Sequence, residues 1–143
     1  MSKNENILWT DQLSKHHFLS VVVPMYNEEE LASDLISSVQ IALSDYAHPW
    51  ELIVVDDGSN DRTWLELKNA ATIAGPHVRL IKLLRNFKQT AAMQAGIDAA
   101  RGDVIVTMDG DLQNPPEEII DLYHEASKGF DIVYCIPKER NGF

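Results

Sequence analysis

The chain has 143 residues, and 45% of them are hydrophobic, which is enough for one packed domain and too many for a disordered segment. Its net charge of −10 argues against nucleic-acid binding and against docking of this segment alone on an anionic membrane. A single cysteine, Cys135, excludes an intrachain disulfide and a cysteine-based zinc site. The sequence contains no signal peptide and no apolar run of membrane-spanning length, so we expect a soluble, cytoplasmic domain.

The predicted elements alternate between strands and helices. Residues 1–17 are polar and are predicted to form a loosely attached tail, and residues 18–143 are predicted to form the domain. Strands are predicted at residues 18–24, 50–56, 78–84, 104–108 and 131–134. The first helix is predicted to follow Asn27 as its N-cap, with residues 28–30 in its first turn, and the others to span residues 61–74, 88–100 and 116–129.

This alternation is typical of an α/β sandwich with a mainly parallel sheet and right-handed crossovers. The predicted elements stop just after the fifth strand, and no closing element follows. We therefore expect the domain to continue past Phe143.

Unusual polar residues follow four consecutive predicted strands. Ligands of open α/β sheets bind at the carboxyl ends of the strands, so these residues are candidates for a functional site. They are Pro24, Tyr26, Asn27 and Glu28; Asp56, Asp57, Gly58 and Ser59; Arg85 and Asn86; and Asp109, Gly110, Asp111 and Gln113. At least four carboxylates are thus predicted to gather at one edge of the sheet, where like charges repel unless a cation compensates them.

The last of these groups has the chemistry of a metal site. Asp109 and Asp111 are separated by Gly110, and Gln113 adds an amide oxygen. These hard ligands suit Mg²⁺ or Mn²⁺, and substrate phosphates and water would complete the coordination shell. Alone, Asp56-Asp57-Gly58-Ser59 is more typical of a turn with a helix cap than of a site, and Asp109-Gly110-Asp111 is also typical of a turn. Their placement at successive strand ends is what favours a site.

Other α/β classes are disfavoured by missing motifs. The sequence lacks Gly-x-Gly-x-x-Gly, Gly-x-x-x-x-Gly-Lys-Ser/Thr and Gly-x-Ser-x-Gly, which argues against dinucleotide-binding dehydrogenases, P-loop NTPases and α/β-hydrolases. A receiver-type phosphoacceptor domain is an alternative, because it also carries Mg²⁺ and acidic residues at strand ends. Its acidic pair should follow the first strand, however, whereas the pairs here follow the second and fourth.

Three segments resemble family 2 glycosyltransferases: residues 22–28 (VVPMYNE), 54–63 (VVDDGSNDRT) and 108–117 (MDGDLQNPPE). The sequence is most similar to polyprenol-phosphate sugar transferases of the dolichol-phosphate mannose synthase type, and residues 84–96 resemble the bactoprenol-phosphate glucosyltransferase branch. The resemblance implies a Rossmann-like fold of the GT-A type that binds a nucleotide-sugar. It also implies metal-dependent, inverting transfer of a hexose from a donor of the UDP-glucose or GDP-mannose class to a polyprenyl phosphate, at the cytoplasmic face of the membrane.

The same resemblance implies roles for individual residues. Tyr26 would pack beside the base, and Asp57 would accept a hydrogen bond from a base N–H. Asp109 and Asp111 would be catalytic and, with Gln113, would hold Mg²⁺ or Mn²⁺ on the diphosphate. The implied substrate-binding residues are Pro24, Tyr26, Asn27, Glu28, Val55, Asp57, Arg85, Met108, Gly110 and Arg140.

The acceptor side departs from the family pattern. A phosphate-monoester acceptor, with a second pKa of about 6, is largely ionised at neutral pH and needs positive charge more than a general base. Where the family carries an arginine after the fifth strand, this chain has Pro137, and Lys138 or Arg140 would take its place in a shifted register. Membrane and acceptor segments are expected beyond this chain, which leaves a nucleotide-sugar-binding module without turnover as a second alternative.

Overall fold

The computed structural model of the chain describes residues 18–110, 115, 117–126 and 132–134. Within them, strands and helices alternate in the predicted order. The strands are β1 (Leu19–Met25), β2 (Trp50–Asp56), β3 (Val78–Lys82), β4 (Val104–Thr107) and β5 (Ile132–Tyr134). The helices are α1 (Ala32–Ala42), α2 (Thr63–Ala74), α3 (Gln89–Ala99) and α4 (Glu118–Ala126). None of the helices described is long and apolar enough to cross a membrane.

The strands form one parallel sheet in the order β3-β2-β1-β4-β5. This is the strand order of doubly wound Rossmann-like sheets, so the predicted fold class is confirmed. The receiver-type alternative is wrong, because its flavodoxin-like fold has the order 2-1-3-4-5. The chain builds outward from β1 to β3 and then returns to add β4 on the other side of β1. A crevice is expected at that reversal, at the carboxyl ends of β1 and β4.

Two apolar cores lie on the two faces of the sheet. All seven residues of β1 are buried, as expected for a central parallel strand covered on both faces. Helices α1, α2 and α4 contribute to the larger core, with Leu35, Leu67 and Ile119 among its buried residues. Helix α3 covers the other face, where Ala92 packs with Val22, Ile53 and Val55. The sheet is therefore a rigid platform for the loops at its carboxyl edge.

The amino edge of the sheet is fixed by a buried carboxylate. Glu51 is 3% exposed and accepts hydrogen bonds from the Ser20 hydroxyl, the Arg79 guanidinium and the Arg101 N–H, each at 2.7 Å. Burial raises the pKa of Glu51, but these hydrogen bonds and the charge of Arg79 outweigh burial and lower the pKa below its ordinary value. This network ties β1, β2 and β3 to the segment that leads into β4.

The predicted start of the first helix is wrong. Helix α1 begins at Ala32, Leu31 precedes it without a side-chain cap, and Asp34 is the acidic residue of its first turn. Asn27 adopts a φ of 50°, and its side-chain oxygen accepts the N–H of Asn60 at 2.9 Å. The Asn27 side chain is therefore engaged by the loop after β2 and is not available as a helix cap.

Candidate functional site

A cleft of about 160 Å³ opens at the carboxyl ends of β1, β2 and β4. It lies where the strand order reverses, which is the usual ligand position in such sheets. Six residues selected from the sequence line it: Pro24, Tyr26, Glu28, Asp57, Asp109 and Gly110. Met25 and Gln89 complete the lining.

Close packing between β1 and the end of β4 forms one wall of this cleft. A Cβ atom on Gly110 would lie 2.7 Å from the carbonyl oxygen of Pro24 and 2.7 Å from Cγ of Met25. Only glycine fits at that position without displacing the backbone of β1. Tyr26, the first residue after β1, is 41% exposed at the cleft.

Asp57 connects three strand ends. It is 2% exposed, and its N–H donates to the carbonyl oxygen of Met25 at 2.9 Å. Its Oδ1 accepts the N–H of Phe87 at 2.8 Å, and its Oδ2 accepts the Asn86 side-chain amide at 3.0 Å. The carboxylate therefore holds the loop between β3 and α3, a role that the sequence did not indicate. Its oxygens retain further lone pairs for a ligand.

Gly58 brings the same two loops into direct contact. Its φ is +72°, and a Cβ atom there would lie 2.2 Å from the carbonyl carbon of Arg85 and 2.5 Å from the nitrogen of Asn86. Both the backbone conformation and the contact require glycine at this position. The turn after β2 thus positions the loop that leads to Gln89.

Gln89 is the residue that the sequence reasoning missed. Its Nε2 donates to Oδ1 of Asp109 at 2.6 Å, which orients that partly exposed carboxylate in the cleft. Gln89 starts α3 directly after the loop that contains Arg85, so its position at a strand-to-helix junction was the available signal. The preceding residue, Lys88, has φ 79° and ψ 159°, a conformation that is essentially confined to glycine.

Four residues with implied substrate-binding roles lie outside the cleft lining, as do the candidates Asp56, Gly58, Ser59 and Asn86 of the neighbouring loops. Val55 and Met108 are 0% and 2% exposed, so their side chains belong to the cores. The Asn27 side chain faces Asn60, as described above. Arg85 is exposed, and its guanidinium carbon lies 4.1 Å from the centre of the Phe87 ring.

The other residues with implied roles lie outside the described residues. They are Asp111, Gln113, Arg140 and the neighbouring Pro137 and Lys138. The roles predicted for them remain predictions.

The lining of the cleft is strongly acidic. It contains the carboxylates of Glu28, Asp57 and Asp109, and the described lining includes no lysine, arginine or histidine. Among the described residues, no three acidic, histidine or cysteine side chains lie close enough together to hold a metal ion by themselves. The oxygen ligands in the cleft suit a hard cation that takes further ligands from elsewhere, such as the oxygens of a bound phosphate.

Comparison with known proteins identifies the family. Residues 20–143 match the model of the family described as "Glycosyl transferase family 2". The chain belongs to glycosyl transferase family 2. The resemblance seen in the three sequence motifs is therefore confirmed.

Two curated relatives are similar over most of this chain. It is 50% identical to a dodecaprenyl-phosphate galacturonate synthase from Rhizobium johnstonii, over 77% of this chain and 32% of the relative. It is 47% identical to an undecaprenyl-phosphate 4-deoxy-4-formamido-L-arabinose transferase from Pectobacterium atrosepticum, over 85% of this chain and 37% of the relative. The chain thus spans about a third of the length of these family members.

A solved structure shares the fold. The mannosyltransferase PcManGT from Pyrobaculum calidifontis, in complex with GDP-Man and Mn²⁺, is 26% identical with a TM-score of 0.58. The similarity covers 65% of this chain and 27% of that one. A structure of similar fold thus contains both a nucleotide-sugar and a divalent cation.

Proposed function

We propose that this chain binds the donor of a glycosyltransferase that moves a sugar from a nucleotide-sugar to a polyprenyl phosphate. The observation that carries the proposal is the acidic cleft at the carboxyl ends of β1 and β4, in a chain of family 2. The names of the two curated relatives support the acceptor class, since both refer to a polyprenyl phosphate. Because that acceptor is a lipid, the transfer would take place at a membrane, and the sequence resemblance implies its cytoplasmic face.

Tyr26 and Asp57 would bind the nucleoside. The ring of Tyr26 is 41% exposed at the cleft and offers a face against which a base can pack. Asp57 is held by Asn86 and Phe87, which fixes its oxygens before the ligand arrives. A carboxylate accepts from the ring N–H of uracil or of guanine, so donors of the UDP-glucose and GDP-mannose classes both fit this proposal.

Asp109, with Asp111 and Gln113, would hold Mg²⁺ or Mn²⁺ at the donor diphosphate. When bound, such an ion stabilises the negative charge of the departing nucleoside diphosphate as a Lewis acid. The charge of the cleft supports this assignment, because a diphosphate that enters a cleft lined by three carboxylates needs a compensating cation. Gln89 would keep the Asp109 carboxylate in one orientation through the 2.6 Å hydrogen bond.

The transfer itself would be a single displacement. A phosphate monoester has a second pKa of about 6, so the acceptor is largely ionised at neutral pH and needs no general base. One acceptor oxygen forms a bond to the anomeric carbon while the bond to the donor diphosphate breaks, and the nucleoside diphosphate leaves with the electron pair. This displacement inverts the anomeric configuration. Lys138 and Arg140 are the candidates in this chain for contacting the acceptor phosphate.

Calorimetric titration of this chain with UDP, GDP, UDP-glucose and GDP-mannose tests the donor assignment. Each titration is run with Mn²⁺ and again with EDTA, on the wild type, on Asp109→Asn and on Asp98→Asn. Asp98 is a matched control, because it accepts a glutamine amide at 2.8 Å just as Asp109 does, but on the exposed face of α3.

We expect binding of nucleotides with one of the two bases, dependent on metal. Asp109→Asn should weaken binding by about tenfold or more, as loss of a charged metal ligand implies, and Asp98→Asn should leave it unchanged. Equal effects of the two substitutions, or the same affinity in EDTA, would contradict the metal assignment. Donor binding without transfer, in a protein as long as the relatives, would instead favour a nucleotide-sugar-binding module.

A further inference from the structure

Three consecutive backbone N–H groups at the edge of the cleft donate to side chains of the loop after β2 and of the first residue of α2. The N–H of Asn27 donates to Oγ of Ser59 at 2.9 Å, and the N–H of Glu28 donates to Oγ1 of Thr63 at 2.8 Å. The N–H of Glu29 donates to Oδ2 of Asp61 at 3.3 Å. These groups precede the first turn of α1, so no helical hydrogen bond satisfies them.

The acceptors of these hydrogen bonds are themselves fixed. Thr63 is fully buried, and its hydroxyl donates to Oδ1 of Asp61 at 2.5 Å, while its N–H donates to the same oxygen at 2.8 Å. Because the hydroxyl proton points to Asp61, a lone pair of the Thr63 oxygen is directed to the N–H of Glu28. Burial raises the pKa of Asp61, but the hydrogen bonds from Thr63 and from the N–H of Glu29 outweigh it and lower the pKa below its ordinary value.

The segment held in this way carries two cleft residues. Tyr26 and Glu28 line the cleft, whereas Ser59, Asp61 and Thr63 do not. Between them, Asn27 has a φ of 50°, in the left-handed region, which asparagine adopts more readily than most residues other than glycine. The hydrogen bonds from the N–H groups of residues 27–29 therefore fix both the turn at Asn27 and the two cleft residues beside it.

We propose that Ser59, Asp61 and Thr63, named here the loop clamp, are positioning residues for donor binding. The loop clamp holds residues 26–28 in the conformation that presents Tyr26 and Glu28 to the nucleotide. This inference rests on the proposed function, because it assumes that the cleft binds the donor. It assigns a binding role to residues that do not line the cleft.

A pair of substitutions at Thr63 distinguishes a positioning role in nucleotide binding from a general effect on the stability of the fold. Thr63→Val keeps the shape and removes the hydroxyl, and Thr63→Ser keeps the hydroxyl. Thr72→Val is the matched control, because Thr72 lies on the same helix and its hydroxyl donates to the Lys68 carbonyl at 2.8 Å, away from the cleft. Affinity for UDP and GDP with Mn²⁺ is measured by calorimetry below the melting temperature of each variant.

We expect Thr63→Val to weaken nucleotide binding by about fivefold or more, because affinity falls with the fraction of molecules in the binding conformation. Thr63→Ser and Thr72→Val should stay within about twofold of the wild type, the size of change expected when that fraction is preserved. A folded Thr63→Val variant with wild-type affinity would overturn the positioning role. If Thr63→Val does not fold, Ser59→Ala serves as the test variant, since Ser59 is only partly buried and its hydroxyl accepts the Asn27 N–H.

Amide hydrogen exchange, read by NMR without ligand, tests the loop clamp independently of the nucleotide. The N–H of Glu28 should exchange slowly in the wild type and faster in Thr63→Val, and fast exchange in the wild type would overturn the clamp. If the wild type binds neither nucleotide while Glu28 is protected, the proposed function fails, and the positioning role fails with it. Wild-type binding with unprotected amides would overturn the clamp alone.

Discussion

Asp57→Asn should destabilise the protein even without a ligand. Its carboxylate accepts the N–H of Phe87 and the side-chain amide of Asn86, at 2.8 and 3.0 Å, while being 2% exposed. An asparagine retains one acceptor but turns an NH₂ group toward one of these donors. Hydrogen bonds to charged groups contribute about 1.5–3 kcal/mol each, so losing one and weakening the other should reduce the free energy of unfolding by about 2–3 kcal/mol.

The neighbouring Asp56 provides a matched control. Asp56 is equally buried, its Oδ1 accepts the N–H of Ser59 at 3.1 Å, and its Oδ2 has no hydrogen-bond partner among the described residues. Asp56→Asn keeps the acceptor for Ser59, so it should change the free energy of unfolding by less than about 1 kcal/mol.

Thermal unfolding of the ligand-free protein, followed by circular dichroism, measures the difference between these two variants. At roughly 3 °C per kcal/mol for a chain of this size, Asp57→Asn should lower Tm by about 6–9 °C. Equal losses for Asp56→Asn and Asp57→Asn would refute the hydrogen-bond reasoning. Such a result would show that the burial of the carboxylate, and not the hydrogen bonds that it accepts, determines the loss of stability.

Three further predictions concern stability. Glu51→Gln should lower the free energy of unfolding at pH 7 by about 1–3 kcal/mol. Because folding lowers the pKa of Glu51, its contribution is present above the ordinary value of 4.5 and is lost as pH falls below it, so denaturant titrations should show the two proteins converging in acid. Gly96→Ala should gain about 1 kcal/mol of helix propensity, but the new Cβ atom would lie 2.3 Å from Cγ1 of Val22, and overpacking of about 1–3 kcal/mol should outweigh that gain in urea unfolding. Lys88→Gly should raise Tm. It would relieve about 1–3 kcal/mol of backbone strain, against an entropic penalty for glycine of about 1 kcal/mol at most. An unchanged or lower Tm would contradict the strained conformation of Lys88.

The fold was predictable because its strands are continuous apolar runs that end at polar residues. Residues 50–56 were predicted as a strand and form β2 with the same bounds. Since the carboxyl ends of parallel strands share one edge, the polar residues after them identified the position of the cleft. Pro24, Tyr26 and Asp109 come together there for that reason.

The remaining features depend on contacts between loops, which no local pattern reveals. Asn27 reads as a helix cap, but the loop after β2 engages its side chain and α1 starts at Ala32. Gln89 begins α3 directly after Lys88, whose backbone conformation the sequence would not assign to a lysine. The side chain of Val55 is directed to the core beneath α3 rather than to the cleft.

The central claim is that a nucleotide-sugar binds in the cleft between β1 and β4, and an NMR titration tests it most directly. Amide shifts are mapped while UDP or GDP is added with Mg²⁺. We predict that one nucleotide shifts the amides of residues 25–28, 57–59 and 109–110, which surround the cleft, and that EDTA reverses the shifts. Shifts confined to a distant surface, such as the groove between α2 and β3 around Lys68 and Thr72, or no shifts with either nucleotide, would contradict it.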